Sequence, residues 1–364
     1  MSAGSQIGCG TGAGACVRAP SAAARRATIF AAAGLALAGL VAADLLTGPS
    51  GLSAGALWEA LRAGPAGENR AAAAILYQIR LPQVAMALIV GGALGLAGLV
   101  MQTLLANPLA SPFTLGFSAA AGFGAALAIM FGGAISAALG LTLAPHLLTP
   151  LFAFAATLGA TALVWGLARL RGARPEILVL VGIAVLFFFQ SLQSLLQFLA
   201  APEVLQQIVF WLFGSLARAS WPGVWVAGGI VAVCLPLLAR EAWALTALRL
   251  GEANAASLGL DTEALRRRLF LITAALTAAA VSFTGTIGFV GLIAPHVARA
   301  LVGEDHRFAL PMAAIGGAVI LVSASVAAKL ISQGAAIPVG LVTAIAGIPM
   351  LIAVILGQKG RYDV

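Results

Sequence analysis

The stretch Arg80-Leu81-Pro82, followed by an apolar run and then by Gln102-Thr103-Leu104-Leu105-Ala106-Asn107-Pro108-Leu109-Ala110-Ser111-Pro112, decides the fold class of this chain. It places a polar turn, broken by prolines and bearing amides, between two hydrophobic segments of membrane-spanning length. Polar backbone at membrane depth must be buried in protein or line a water-filled cavity. A bare lipid anchor needs no such turn, so the stretch indicates a protein that moves something across a bilayer.

The composition of the whole chain agrees with a membrane protein. Its 364 residues are 61% hydrophobic and only 9% charged, whereas soluble domains carry about 25% charged residues. Because so few charges cannot cover a globular surface of this size, the bilayer must act as solvent for much of the protein surface. The 43 glycines let membrane helices approach each other closely. We therefore expect an all-α integral membrane protein.

The charge and the cysteines exclude two other classes. The net charge of +8 does not indicate nucleic-acid binding, because the basic residues recur between hydrophobic runs, as topology signals do. Cys9, Cys16 and Cys234 are too few and too scattered for a disulfide framework or a metal site. His296 and His306 also lack the surrounding ligands that a metal site needs. We expect no metal bound by protein side chains.

The hydrophobic runs predict ten spans and no soluble domain. They cover roughly residues 28–46, 82–105, 113–133, 145–168, 176–199, 222–239, 269–286, 288–302, 308–331 and 340–357. The seventh and eighth runs are short. Arg25-Arg26 before the first run is similar to the start of a signal peptide, but the long Gly/Ala-rich tail and the lack of a clear cleavage site favour an uncleaved span. This divides the chain into a flexible cytoplasmic tail (1–27), a ten-span domain (28–358) and a cytoplasmic tail (359–364).

The basic residues predict the orientation. With an even number of spans, both termini lie on one side, which then holds 15 of the 20 basic residues. The other side keeps Arg62, Arg70, Arg80, Arg218 and Lys329. Cytoplasmic loops carry the excess of Lys and Arg, so we expect both termini in the cytoplasm.

Two connections are too long and polar to be simple links: the outer loop (residues 44–79) and the inner loop (residues 240–268). Within the inner loop, residues 252–258 have helical character and Gly259 fits a helix end. A second helix can start at Asp261 or Thr262, whose side chains can cap it. The resulting helix-turn-helix at the membrane surface is either a docking ridge or an ordinary surface helix pair.

Polar side chains inside the predicted spans mark a second region. Gln190, Ser194 and Gln197 recur at helical spacing on the fifth run. Polar groups in a membrane usually face the bundle interior or a water-filled cavity, although they can also hydrogen-bond neighbouring helices. Gln102 and Asn107-Pro108 at the end of the second run can form either a gate or a capped turn.

The chain resembles the permease subunits of bacterial type II ABC importers for iron-siderophores, haem and cobalamin. An ordered set of short segments between residues 77 and 350 carries the resemblance. The segments are Arg80-Leu81-Pro82, Asn107-Pro108-Leu109-Ala110, Leu115-Gly116-Phe117-Ser118, Trp211-Leu212-Phe213-Gly214-Ser215-Leu216, Gly251-Glu252, Ser257-Leu258-Gly259, Gly288-Phe289-Val290-Gly291-Leu292-Ile293-Ala294-Pro295-His296 with Arg299, Asp305-His306-Arg307 and Ile337-Pro338-Val339-Gly340.

The resemblance implies the partners. Such a subunit has ten spans, pairs with a second permease copy or a paralogue, and forms a central pathway at their interface in the inner membrane. Two ATPase subunits dock below and a periplasmic substrate-binding protein docks above. The chain has no Gly-x-x-x-x-Gly-Lys-Ser/Thr phosphate loop. We therefore expect ATP and Mg on the separate ATPase, no cofactor on this chain and no catalytic residue.

The resemblance also assigns roles to residues. It implies ATPase coupling by Glu252, Ala253, Ser257, Leu258 and Gly259. It implies a pathway or gate at Gln102, Asn107, Pro108, Gln190, Ser194 and Gln197. It implies docking of the binding protein at Arg80, with Arg70 and Lys329 nearby. Gln83, Ala106, Ser325 and Ala336 stand where relatives often carry charges.

The expected cargo is a bulky metal chelate, in the first place a ferric siderophore. Haem and cobalamin are alternatives within the same class. A secondary transporter driven by an ion gradient is the alternative from another class, but it would need carboxylates inside the membrane. In this sequence the acidic residues lie in loops or at the ends of the predicted spans.

Overall fold

The computed structural model describes residues 22–332 and 337–357, apart from residues 50, 68, 139 and 141–144. Most of the two predicted tails and Ala336 lie outside the described residues. Within these ranges every regular element is helical. The α-helices, numbered in chain order, are α1 (Ala22–Leu46), α2 (Ala54–Ala63), α3 (Arg70–Ala74), α4 (Leu81–Leu104), α5 (Phe117–Ala138), α6 (Pro145–Arg169), α7 (Pro175–Leu199), α8 (Pro202–Leu212), α9 (Trp221–Arg240), α10 (Ala242–Arg249), α11 (Glu252–Ser257), α12 (Thr262–Thr284), α13 (Val290–Val302), α14 (His306–Ile331) and α15 (Val339–Gly357).

The described part of the chain supplies ten apolar helical segments, as predicted. Eight are long enough to cross a membrane, and α13 and Val339–Ile352 of α15 are shorter. The predicted seventh span is α12, which has 23 residues and starts seven residues before the predicted boundary. The predicted eighth span is α13, whose 13 residues rise about 20 Å. That is less than the hydrocarbon thickness of about 30 Å, so α13 crosses only part of it.

Helix α4 lies at the centre of the bundle, where it packs against α9, α12, α13 and α14. Every residue from Val90 to Leu104 is buried. Glycines bring the main chains into direct contact: a Cβ at Gly98 would lie 1.8 Å from the Gly291 carbonyl oxygen, and one at Gly95 would lie 2.1 Å from that of Ala313. Small residues at helix interfaces permit this approach, so α4 is a tightly packed core helix.

The helix that contains α4 starts earlier than predicted. The sequence placed its start near residue 82, but the chain is helical from Arg70, with a π-helical turn over Ile75–Arg80. In this turn the Leu81 N–H donates to the Leu76 carbonyl, five residues back. Pro82 has no N–H for the next carbonyl, that of Tyr77, and the Trp221 indole Nε1–H donates to it instead at 2.8 Å. The proline is thus accommodated within the helix.

Three connections between helices meet at one place: the one after α8, the one after α12 and the one before α15. The Gly340 N–H donates to the Gly214 carbonyl at 3.0 Å, and the Ser215 N–H donates to that of Thr284 at 2.7 Å. A Cβ at Gly285 would lie 2.1 Å from the Trp211 carbonyl oxygen. Lipid cannot satisfy non-helical backbone, so these segments pair with one another inside the protein.

Candidate functional site

The second half of the inner loop folds as the sequence predicted, whereas its first half forms an additional helix, α10, that was not predicted. Helix α11 covers Glu252–Ser257, and α12 starts at Thr262 with Asp261 as its cap, because the Ala264 N–H donates to Asp261 Oδ1 at 3.0 Å. Gly259 closes α11 with φ +83°. The Leu260 and Gly259 N–H groups donate to Ala255 and Ala256 at 3.2 and 2.9 Å, which is a Schellman ending.

Helix α11 presents a largely exposed surface. Of its residues only Ala255 is buried. The five residues assigned to coupling, Glu252, Ala253, Ser257, Leu258 and Gly259, are all exposed. Leu258 is an apolar side chain that is 55% exposed at this surface. The segment 252–259 is therefore a ridge of mostly small residues that a partner groove can contact.

The ridge is connected to neighbouring helices by an ion pair and hydrogen bonds. Glu252 Oε2 lies 2.9 Å from Arg266 Nη2, and the Thr262 hydroxyl donates to Glu252 Oε1 at 3.1 Å. Arg266 is buried, and its Nη1 donates to the Ala173 carbonyl at 2.9 Å. The ridge is thereby connected both to α12 and to the turn between α6 and α7.

The turn after α4 is a second Schellman ending. The Asn107 N–H donates to the Gln102 carbonyl at 3.1 Å, and Ala106 lies in the left-handed region with φ +47°. The Asn107 Oδ1 accepts from the Leu109 N–H at 2.9 Å. Asn107 and Pro108 are exposed, whereas Gln102 is buried. The Asn107 side chain thus caps its own turn. A role of Asn107 as a gate stays a prediction.

Gln102 and this turn border a cavity of about 740 Å³, which we call the inner cavity. Its walls also include the α10–α11 connection, the start of α12 and the C-terminal half of α13. Arg299 Nη2 donates to Gln102 Oε1, and Gln102 Nε2 donates to the Leu292 carbonyl at 3.4 Å. The structure therefore brings Gln102, Asn107, Pro108 and Glu252 to the walls of one cavity.

The polar residues of α7 border a different space. Gln190 and Gln193 line a cavity of about 500 Å³, which we call the α7 cavity, together with Ser111, Ser118 and Thr286. Gln190 and Ser194 are exposed on the isolated chain, and Gln197 is half-buried. Ser194 and Gln197 are not among the residues that line the cavity. The predicted stripe is thus partly a cavity wall and partly open surface.

The three basic residues assigned to docking do not share one exposed rim. Arg70 is exposed, but Arg80 is only 3% exposed and donates to the Leu45 carbonyl. Lys329 Nζ lies 2.8 Å from the carboxylate of Asp44, which is fully buried. Arg80 and Lys329 thus both bond to the end of α1, on Leu45 and Asp44. Docking of the binding protein at Arg70, Arg80 and Lys329 stays a prediction.

Several polar residues were missed by sequence reasoning. Buried His306 contacts two hydroxyls, with Nε2 2.8 Å from Thr103 and Nδ1 3.3 Å from Thr246. Asp305 caps α14 through the Arg307 N–H at 3.0 Å, and side-chain donation from Arg307 holds the pKa of Asp305 below its ordinary value. Arg299 was named as part of a segment that carries the family resemblance, but no role at a site was assigned to it. The available signal was its position, because it ends an apolar helix where a lipid-facing charge is costly.

The comparisons with known proteins address the family. A model of the FecCD transport family matches residues 34–357. The chain belongs to this family. A hemin transport system permease from Yersinia pestis is 35% identical over 78% of this chain and 84% of its own length. A protein from Methanocaldococcus jannaschii, described as an ABC transporter permease, is 40% identical over 79% and 83%.

The structural comparison agrees with the family assignment. A transporter described as of the metal-chelate ABC type, solved in an inward-facing conformation, superposes with a TM-score of 0.79 at 30% identity, covering 91% of this chain and 99% of that one. Other relatives are named for iron(3+)-hydroxamate, molybdate and cobalamin import, at 38%, 34% and 34% identity. This FecCD-family chain is the permease of a metal-chelate type ABC importer, with the type II architecture.

Proposed function

We propose that this permease imports a metal already enclosed in an organic chelator, in the first place a ferric siderophore. The observation that carries this proposal is the lining of the α7 cavity. Its polar side chains, including Gln190, Gln193, Ser111, Ser118 and Thr286, are neutral amides and hydroxyls. Such groups can contact a large polar cargo in many orientations without holding it strongly, as conduction requires.

The relatives support an iron chelate without separating it from other cargoes. Relatives named for iron(3+)-hydroxamate import and iron uptake are 38% and 35% identical to this chain. The hemin relative is equally similar at 35%, and the cobalamin relative reaches 34%. Hemin and cobalamin therefore remain the alternative cargoes.

Energy for transport would enter through the ridge 252–259. We propose that an ATPase subunit, which binds ATP and Mg, seats this exposed ridge in a groove. Because Glu252 pairs with Arg266 at 2.9 Å and Arg266 bonds to Ala173, a displacement of the ridge would move α12 and the α6–α7 turn with it. Rigid-body motion of this kind is a common way to switch access.

The remaining partners follow from the surfaces of the isolated chain. A second permease copy would contact the exposed aromatic residues of α7, Phe187, Phe188 and Phe198, and the exposed polar residues of α7 would border the pathway between the copies. A periplasmic binding protein would dock at the end opposite the ridge. The excess of basic residues at the ridge end supports an inner-membrane protein with both termini in the cytoplasm.

The cargo is tested by reconstituting the permease with its ATPase and binding protein in proteoliposomes. Uptake of a ferric hydroxamate, hemin and cobalamin is compared, each with and without ATP. We expect ATP-dependent accumulation of the ferric siderophore. Accumulation of hemin or cobalamin alone would overturn the cargo. Uptake without the ATPase, driven by an ion gradient, would overturn the mechanism.

The coupling role is tested by Gly259→Trp. Gly259 has φ +83° and open space around it, so the substitution strains one exposed turn and enlarges the ridge. Uptake should fall at least tenfold while the permease stays folded and the ATPase remains active. Gly64→Trp is the matched control, because Gly64 has φ +77° and equally open space at the end of α2, in the outer loop. Normal uptake by Gly259→Trp, or an equal loss in the control, contradicts coupling through this ridge.

A further inference from the structure

The inner cavity contains a charge that its walls do not balance. Five charged residues line it: Arg249, Arg266, Arg299, Glu252 and Glu304. Glu252 pairs with Arg266 at 2.9 Å, and Glu304 pairs with Arg249 at 2.8 Å. Arg299 Nε lies 3.9 Å from Glu304, which is beyond hydrogen-bond distance. Glu304 is thus shared between Arg249 and Arg299, so three arginines face two carboxylates and the cavity walls carry a net charge of +1.

Arg299 is also deeply buried and has a free donor. Its side chain is 9% exposed. Nη2 donates to Gln102 Oε1, but Nη1 is buried without a hydrogen-bond partner. Leaving such a donor unpaired costs about 1–3 kcal/mol, and more for a charged group. An acceptor from outside the protein would remove that cost.

Three further side-chain atoms of the cavity walls are buried without a hydrogen-bond partner: Arg266 Nε, Glu304 Oε2 and His296 Nε2. His296 is one helical turn before Arg299 on α13, and its Nε2 is also buried without a partner. His296 Nδ1 lies 2.8 Å from the Leu292 carbonyl oxygen. Because that oxygen can only accept, Nδ1 carries the proton, and Nε2 of the neutral ring is an acceptor. The Cβ atoms of residues three apart on a helix are about 5–6 Å apart, so both side chains start from one face of α13 and line the same cavity.

We propose that the inner cavity binds one small oxyanion that also bears a hydroxyl group, hydrogenphosphate being the simplest example. An anionic oxygen would accept from Arg299 Nη1, and the hydroxyl would donate to His296 Nε2. Sulfate offers the same charge without the hydroxyl, and would leave Nε2 unpaired. The site does not depend on the cargo proposed above. Because Arg299 is nine-tenths buried, a small ion reaches it more readily than the side chain of a docked protein.

The position of the site gives it a means of regulation. Arg299 bonds to Gln102 at the end of α4, and the cavity wall continues through Arg249 and Glu252 into the α10–α11 connection. An occupant would therefore lie between the central helix and the ridge proposed to meet the ATPase. If that orientation holds, the ion would come from the cytoplasm.

The test measures binding to the purified full-length permease in nanodiscs, at constant ionic strength in a buffer without phosphate. Radiolabelled inorganic phosphate should bind saturably at one site per chain, and at least tenfold more tightly than sulfate. Lactate, a hydroxyl-bearing carboxylate, should compete where acetate does not. Absence of saturable phosphate binding, or equal affinity for sulfate, overturns the proposal.

Variants assign the binding to these residues. Arg299→Gln should weaken phosphate binding at least tenfold, whereas Arg240→Gln, at an exposed position on α9, should leave it unchanged. Unchanged binding by Arg299→Gln overturns the proposal. Should Arg299→Gln fail to fold, His296→Phe keeps the test open, because it should abolish the preference for phosphate over sulfate. A preference that survives His296→Phe overturns the role of the hydroxyl.

Discussion

Helices α4 and α7 are both apolar and of membrane-spanning length, but they differ in burial. In the most apolar stretch of the helix that contains α4, 83% of the residues are buried, compared with 17% in that of α7. Glycines along α4 bring its main chain against α13 and α14. Helix α7 instead leaves Phe187, Gln190 and Ser194 exposed. Helix α4 is therefore a tightly packed scaffold, while the exposed surface of α7 is free to contact molecules other than this chain.

Helix α1 shows that exposure alone does not mark a pathway. Only 6% of its most apolar window is buried, and the outward residues near its middle, such as Leu35, are apolar. Its one buried residue is Asp44, which pairs with Lys329 of α14. Helix α1 thus packs on α14 through partly buried apolar residues such as Ile29 and Leu37 and through the Asp44–Lys329 pair. Its exposed residues near the middle are apolar, whereas α7 carries polar side chains at helical spacing on its exposed face.

The largest effect should come from adding one methyl group to α4. In Gly98→Ala the Cβ would lie 1.8 Å from the Gly291 carbonyl oxygen, so the main chains of α4 and α13 must separate. We expect a loss of roughly 3–5 kcal/mol of stability, above the usual cost of overpacking. Gly92→Ala is the control, because its Cβ would lie 3.7 Å from the nearest atom. Equal thermal unfolding of the two variants in detergent would show that α4 is not the tight scaffold.

A smaller loss should follow when α1 is unfastened. Asp44→Asn leaves Lys329 buried without its counter-ion, which should cost about 3 kcal/mol. The double variant Asp44→Asn/Lys329→Met should recover most of that stability, since it removes both buried charges. A double-mutant cycle of unfolding free energies measures this. Additive single effects would mean that the pair does not hold α1.

The Pro82 site should respond more weakly. Trp221→Phe removes the indole N–H that donates to the Tyr77 carbonyl at 2.8 Å, leaving that carbonyl unpaired at a cost of about 1–2 kcal/mol. In a Pro82→Ala background the new N–H can serve the same carbonyl, so the cost of Trp221→Phe should shrink. If Trp221→Phe costs the same unfolding free energy in the Pro82→Ala background, the indole N–H does not take the place of the donor that Pro82 lacks.

The smallest effect is a gain at the end of α4. Ala106 has φ +47°, a conformation that costs a residue with a Cβ about 1–2 kcal/mol. Ala106→Gly should therefore stabilise the protein by about 0.5–1 kcal/mol after its larger unfolded-state entropy, and Ala106→Val should destabilise it. Thermal unfolding measures both shifts, and a loss of stability in Ala106→Gly would contradict the assigned strain.

Local chemistry in the sequence predicted what depends on neighbouring residues. Gly259 and Asp261 end α11 and cap α12 because of their own backbone and side-chain preferences. The ten apolar segments follow from hydropathy alone.

Features that depend on distant partners were not predictable. The Asp44–Lys329 pair joins residues 285 positions apart, and the Gln102–Arg299 contact joins residues 197 positions apart, so no local pattern could indicate either contact.

The helix starts at Arg70 after a local cap, because the Ala72 N–H donates to Asn69 Oδ1 at 3.0 Å. Its passage through Pro82 uses Trp221, which no local pattern connects to Pro82.

The exposed polar face of α7 should line the transport pathway, and thiol labelling in the assembled importer measures this. In the assembled importer, with Cys9, Cys16 and Cys234 replaced by alanine, Ser194→Cys is compared with Leu35→Cys using a membrane-impermeant reagent. Both positions are exposed on the isolated chain. We expect Ser194→Cys to react with the reagent, and cargo-loaded binding protein to protect it from the reaction. Leu35→Cys should stay unlabelled because it lies in lipid. A Ser194→Cys variant as unreactive as Leu35→Cys would contradict the account.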